Sequence, residues 1–295
     1  MIVAWHGWRI ETPGHWSPVR LEGDGDQGYL LMADLHSPCL GIRWKTIATK
    51  AYKAKAEKAV AQVNRALVQE IGSLAAAEAR PAAPPEGEWL APQLYEDKEP
   101  PGRDVWVGYS PLSGRLFELV YHAHQRDRVL EQRVLPTLCD GDRREATDWS
   151  IFDLSCRVPK GFELLRHRLN AGDLSLIFES KKKVALTVRQ VAVAKLALQR
   201  RPLQDWLREQ ASWRGKYFKL DKIVEELEQE PRLIRRRIAR RWQYGWMRWL
   251  PREYVALAKH DTLRDRLVLI DATDQATADA VMQSVAWAKV EEEAE

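Results

Sequence analysis

The sequence predicts an α+β fold built as two tandem repeats, each a mainly antiparallel β-sheet flanked by α-helices. Three observations predict it. Apolar residues alternate with period two over much of the chain. The same alternation returns 146 residues further on, as an internal duplication would make it. After each block of alternating residues comes a run with helical apolar spacing.

The first elements set the register of the duplication. GWRIETPGHW (7–16) lies over DLSCRVPKGF (153–162) without a gap. Trp8 meets Leu154, Ile10 meets Cys156, Pro13 meets Pro159 and Trp16 meets Phe162. A proline closes each first strand because it cannot donate to a ladder. Next, Leu30 meets Leu176, Met32 meets Phe178, Leu40 meets Leu186, Ile42 meets Val188 and Arg43 meets Arg189. GYLLMAD and DLSLIFES read as strands bounded by Gly or Asp. CLGIRWKTI and KVALTVRQV alternate and read as the next strands. HSP (36–38) and SKKK (180–183) between them are short enough for antiparallel hairpins.

A helix is predicted after each of these strand blocks. In the first repeat Tyr52, Ala56, Ala59, Val60, Val63, Leu67 and Ile71 share a helical face, closed by Gly72. In the second, Leu196, Leu203, Trp206 and Leu207 serve, with the helix starting or kinking at Pro202. The repeats then differ. The first passes through an Ala/Pro-rich connector at 73–88, expected to be exposed. The second carries a charged insert at 214–252. They converge again in two hairpins, 105–121 and 254–271, with Arg115 over Arg266 and Leu116 over Leu267. A short helix follows each, through Val129, Leu130, Val134 and Leu138, and through Ala280, Val281 and Val285. CDGDRREATD (139–148) reads as the linker. The repeats are therefore placed at 1–141 and 149–290.

The opening strand with its proline and aromatic, Pro13 with Trp16 and Pro159 with Phe162, recurs ahead of a closing hairpin, Arg115 to Leu119 and Arg266 to Ile270. That order resembles the PsbP-like superfamily, which includes photosystem-associated proteins, a nuclear Ran-binding protein and bacterial secretion chaperones. The resemblance covers nearly the whole chain, twice. It implies an α/β/α sandwich and a non-catalytic binding role, and it transfers no functional residue. The tandem arrangement departs from the family's secreted members.

Composition narrows the function classes. The 295 residues carry 46 Lys and Arg against 42 Asp and Glu, a net charge of only +4. The three cysteines, Cys39, Cys139 and Cys156, form no short-spaced pair. They predict neither a disulfide framework nor a zinc site, and they favour a reducing compartment. MIVAWHGWRIE meets charge at Arg9 and has no long apolar run, so no signal peptide is predicted. No run approaches the length of a spanning helix. A cytoplasmic protein is expected. Thirteen Trp against five Phe point to aromatic use at core edges and interfaces.

No catalytic constellation emerges. There is no G-x-S-x-G, and Cys39 reads as a buried thiol at a strand start. His36 with Cys39, and His122 with His124, are the close pairs of metal-ligand type, and neither has a third ligand. EGDGDQG (22–28) lacks the Lys-Ser/Thr of a P-loop, and its acidic residues repel phosphate. It reads as a hairpin loop. No cofactor, metal or catalytic residue is assigned.

One segment could carry a ligand. PRLIRRRIARRWQYGWMRWLPR (231–252) interleaves arginines with Trp242, Tyr244, Trp246 and Trp249. Arg235, Arg236, Arg237, Arg240, Arg241, Trp242, Trp246 and Trp249 are the candidate anion- or nucleic-acid-binding residues, since Arg grips phosphates and stacks on aromatics. The alternative is a solvated insert in which the arginines pair with Glu225, Glu226, Glu228 and Glu230 of the acidic, helical-looking LDKIVEELEQE (220–230). Helix and strand both remain open for 231–252. The expected function is a non-enzymatic protein-interaction module that meets a protein partner or further copies of itself. Nucleic-acid association through 231–252 is the alternative.

Overall fold

Alternation dominates the chain, and the fold follows it. The computed structural model describes residues 1–47, 58, 61, 79–81, 85–96, 104–122, 132–141, 146–170, 172–181, 185–212, 221–222, 232–236 and 253–287. They contain β1 (Ile2–Trp5), β2 (Trp8–Glu11), β3 (Ser17–Gly23), β4 (Gln27–Ala33), β5 (Pro38–Thr46), β6 (Ala79–Pro81), β7 (Leu90–Glu96), β8 (Asp104–Ser110), β9 (Arg115–Tyr121), β10 (Cys139–Asp140) and β11 (Thr147–Ile151). Then come β12 (Leu154–Val158), β13 (Phe162–Asn170), β14 (Asp173–Ser180), β15 (Ala185–Ala192), α1 (Ala194–Leu198), α2 (Leu203–Ser212), β16 (Asp221–Lys222), β17 (Arg232–Arg236), β18 (Glu253–Asp261), β19 (Arg266–Ala272), α3 (Gln275–Ser284) and β20 (Ala286–Trp287). The chain forms two compact units: Met1–Ser155 with Trp287–Glu295, and Cys156–Ala286.

The expected α+β arrangement, sheets flanked by helices, is not what forms. The described chain is mostly strand, in three antiparallel sheets, and its helices are short. Two physical reasons account for the difference. Pro202, with Gln199 and Arg200 in left-handed conformations (φ +48° and +63°), cuts the helical run of the second repeat into five- and ten-residue pieces. The segments beyond the helices also supply more strand than the alternation suggested. Ala79–Pro81, inside the Ala/Pro-rich connector, is the edge strand β6. Asp221–Lys222, expected to be helical, is β16, and Arg232–Arg236 is β17. The first predicted helix, 52–71, lies outside the described residues apart from Lys58 and Ala61.

In the first unit the larger sheet runs β3–β4–β5–β9–β8–β7–β6. In the second it runs β13–β14–β15–β19–β18–β17–β16. The two orders are the same. Register agrees as well: Leu30 faces Ile42 and Leu176 faces Val188, while Ile42 faces Leu119 and Val188 faces Ile270. Even an irregularity is repeated. β3 bulges between Pro18 and Arg20, and β13 between Leu164 and Arg166. β2 and β12 both end just before their prolines, Pro13 and Pro159.

A small sheet in the first unit runs β10–β2–β1–β11. Trp5 pairs with Trp8 around a two-residue turn, His6 at φ +49° and Gly7 at φ +89°. Both angles suit the tight turn whose twist matches its strands, and glycine takes the second without steric cost. β1 pairs antiparallel with β11, Ala4 opposite Ser150.

The first core is aromatic. Trp8 contacts Trp44 and Phe117, and Trp89 contacts Phe117 and Trp106, with ring centroids 5.3–6.4 Å apart. Trp5, Trp8, Trp16, Trp44 and Trp106 are fully buried. The second core is mostly aliphatic. Trp206 and Leu207 of α2 cover Tyr254, Ala256, Ala258, Leu267 and Leu269. Ala278, Val281 and Met282 of α3 are also buried. Asp274 caps α3, its carboxylate accepting from the Thr277 N–H at 2.8 Å. Among the described residues no helix is long and apolar enough to cross a membrane.

Candidate functional site

The arginine segment is described only at its start. Arg235 and Arg236 lie on β17, where Arg235 pairs with Tyr254 on one side and Asp221 on the other, and Arg236 pairs with Glu253. Of the two conformations left open by the sequence, Arg232–Arg236 takes the strand. Arg237, Arg240, Arg241, Trp242, Trp246 and Trp249 lie outside the described residues, as do Glu225, Glu226, Glu228 and Glu230.

A buried polar cluster lies elsewhere, in the first unit. β9 opens on Arg115, whose side chain is fully buried. Its guanidinium pairs with Asp140 of β10, donates to the His6 carbonyl at 2.8 Å and to Ser113 Oγ at 3.1 Å, and lies 5.4 Å from the Phe117 ring. The Ser113 hydroxyl in turn donates to Asp140. A buried charge needs this degree of pairing, because its desolvation is otherwise prohibitive. The turn before β9 presents Ser113, and β10 lies beside β2, so strand placement alone assembles the cluster.

The geometry argues against nucleophilic use of Ser113. Its proton points to a carboxylate already neutralised by Arg115. Its oxygen accepts from Arg115 Nε and from the Arg115 backbone N–H at 3.2 Å. An activated serine needs a basic partner and a free lone pair. The His6 imidazole sits among aromatic rings, 5.6 Å from Trp5, 5.0 Å from Trp149 and 6.5 Å from Trp44.

The other sequence candidates resolve into structure. Asp24 in the glycine-rich loop accepts from the Asp26 and Gln27 N–H groups at 2.8 and 3.0 Å, and its carbonyl accepts from Trp44 Nε1 at 2.8 Å. The loop is a closed hairpin turn in which the Asp24, Asp26 and Gln27 N–H groups bond within the turn. Cys39 is buried, with Sγ 3.5 Å from the Ser37 carbonyl. Asp34 accepts from the His36 and Ser37 N–H groups, and these bonds hold its carboxyl below the ordinary value. His124 lies outside the described residues. Among those described, no group of three or more His, Cys, Asp and Glu could hold a metal ion.

Surface features missed by the sequence reading recur at equivalent places. Val19 and Leu165, both within the bulges, are 60% and 62% exposed. Leu112 and Leu263, at the tips of the β8–β9 and β18–β19 hairpins, are 51% and 91% exposed. Strand alternation alone hides these positions, because a bulge shifts the period by one and a hairpin tip has none.

No protein-family model matches the chain, and no curated protein matches it.

Proposed function

We propose that the protein is a non-enzymatic interaction module of the cytoplasm, a scaffold, adaptor or assembly component. On this reading two copies of one β-rich domain offer matched contact points to a protein partner or to further copies of the chain. The observation that carries it is the pairing of exposed apolar residues, Val19 with Leu165 and Leu112 with Leu263. A single exposed leucine needs no explanation. Two places that stay apolar and exposed in both repeats are different, because their neighbours have changed: Leu164 and His167 stand where Pro18 and Leu21 stood. Two like contacts on one chain also raise avidity without new chemistry.

Two further points support the reading. The buried Arg115–Asp140–Ser113 cluster has its hydrogen-bonding capacity turned inward, which suits structure better than turnover. Cys39, Cys139 and Cys156 form no disulfide, which accords with a reducing compartment. The role agrees with the binding function that the PsbP-like resemblance implies, without its sandwich. A second reading, nucleic-acid association, rests on the eight arginines of 231–252 and the aromatics between them.

The test is a chain carrying Val19→Asp, Leu112→Asp, Leu165→Asp and Leu263→Asp. It should keep the wild-type melting temperature yet lose the proteins captured from its own cells, or its own self-association by sedimentation. An unchanged set of captured proteins with unchanged sedimentation would overturn the reading.

A further inference from the structure

One end of the second unit combines projecting aliphatic side chains, unpaired cations and a strained backbone. Leu263 is 91% exposed at the tip of the β18–β19 hairpin. Leu196 on α1 is 71% exposed, and Val193, the residue before α1, is 50% exposed. The two segments are tied together: the Ala194 N–H donates to the Asp265 carbonyl and the Lys195 N–H to Asp265 Oδ1, both at 2.9 Å. Ala194, fully buried, anchors the start of α1 in the core. Val193 has φ +56° and Asp265 φ +53°. For a β-branched residue that region is a genuine outlier, held only where the surroundings over-determine it. The strain here sits at the junction that sends Ala194 inward while the Val193 side chain remains in water.

Charge completes the pattern. Among the described residues the acids of this end are engaged: Asp261 with Arg264 at 2.8 Å, Glu209 with Arg201 at 2.6 Å, Asp205 with Arg208 at 2.9 Å, and Asp265 with the Lys195 backbone. Lys195 and Arg200 are exposed and have no ion pair among the described residues. Asp265 alone of these acids bonds only a backbone N–H and keeps its charge, so Lys195 and Arg200 leave a small positive excess among the described residues.

We propose that this end of the second unit is a peripheral attachment point for an anionic lipid surface, with Leu196, Leu263 and Val193 entering the headgroup–acyl boundary and Lys195 and Arg200 meeting the headgroups. Two features suit a lipid surface, beside the protein contact already proposed for Leu263. The aliphatic residues project from a turn and a short helix. Aliphatic tips flanked by free cations match the order of a bilayer, where anionic headgroups overlie an aliphatic interior. The proposal goes beyond the interaction role above and concerns attachment to the bilayer surface.

Co-sedimentation of the full chain with vesicles tests it. Vesicles of phosphatidylcholine alone are compared with vesicles containing about 30 mol% phosphatidylserine. The wild-type chain should pellet with the second kind and much less with the first. Leu196→Asp with Leu263→Asp should lower the partition by about tenfold or more while leaving the melting temperature unchanged. Lys195→Glu with Arg200→Glu should lower it as well. Replacing Arg236, Arg237, Arg240 and Arg241 by Ala separates general arginine attraction from this tip and should leave most of the partition in place. A wild-type chain that stays in solution with phosphatidylserine vesicles overturns the proposal. So does a Leu196→Asp, Leu263→Asp variant that pellets like wild type, or partition lost only with the four arginines. Retained vesicle partition by that leucine variant together with lost protein capture would overturn it too, and would assign the tip to a protein.

Discussion

Arg115 of β9 and Asp140 of β10 form an ion pair whose side chains are 0% and 1% exposed. Removing one partner strands the other charge in the core. Asp140→Ala should therefore destabilise the first unit by about 3–5 kcal/mol. Arg115→Met with Asp140→Leu should cost far less, because replacing both members of a buried pair by apolar residues of similar volume is often neutral. Urea unfolding followed by tryptophan fluorescence reads both, since the first core is built of Trp8, Trp44, Trp89 and Trp106. Equal losses for the single and double variants would show that side-chain shape, and not charge pairing, decides this site.

Leu165 makes a second test. It lies within the bulge of β13, an edge strand with none of its nine residues buried. A bulge twists an edge away from other chains. Deleting Leu165 should straighten β13 and increase self-association, seen as added light scattering at concentrations where the wild-type chain stays clear. It also moves the flanking side chains to the opposite face, so replacement by Gly, which keeps the extra residue, should leave scattering unchanged. Equal scattering by the deletion variant would show that the bulge does not protect this edge.

A pH dependence follows from Asp261. Burial alone would raise its carboxyl. The Arg264 backbone N–H and guanidinium, with the Leu263 N–H, outweigh burial and hold it below the ordinary value. A depressed carboxyl contributes stability that is fully present above the unfolded value of 3.8 and is lost as pH falls through the folded value. Wild-type melting temperature should therefore drop between about pH 5 and about pH 2. Asp261→Asn, which cannot titrate, should start lower and drop less over that window. Parallel curves for the two proteins would remove Asp261 from the acid response.

These sites differ in how far the sequence announced them. The facing of Leu30 with Ile42 and of Leu176 with Val188 could be read in advance, because alternation and the fixed offset of 146 residues report strand faces directly. Arg115 and Arg266 were legible as equivalent positions because each opens the second strand of a closing hairpin, although the offset there has shifted to 151 residues. The strands β6 and β7 were not. β6 has three residues and ends on Pro81, and β7 contains Pro92 and bulges between Leu90 and Gln93, so neither keeps a clean period. The pairing of Arg115 with Asp140 was hidden for another reason. It depends on where the β2–β10 ladder lies against the larger sheet, and no local pattern encodes that. Nor did charge reveal the conformation of Arg232–Arg236, since an arginine-rich run can be written on a helix or a strand.

The arginine segment separates the two functional readings most sharply. Each phosphate neutralised by Lys or Arg releases condensed counterions, so genuine nucleic-acid binding weakens steeply as salt rises. If 231–252 serves that purpose, the full chain should retain single-stranded RNA or duplex DNA at low salt. Replacing Arg236, Arg237, Arg240 and Arg241 by Ala should then lower the affinity and flatten the salt slope. If those arginines instead pair with the Glu residues of 225–230, the same replacement should chiefly cost stability, about 0.2–1 kcal/mol for each exposed pair. The net charge of +4 on 295 residues leaves little excess field to draw in a polyanion. The expected outcome is that filter binding at two salt concentrations finds no retained RNA or DNA by the wild-type chain, and that the four-arginine variant melts slightly lower. Retention at low salt that collapses at the higher salt, and that the variant loses, would reverse the order of the two readings.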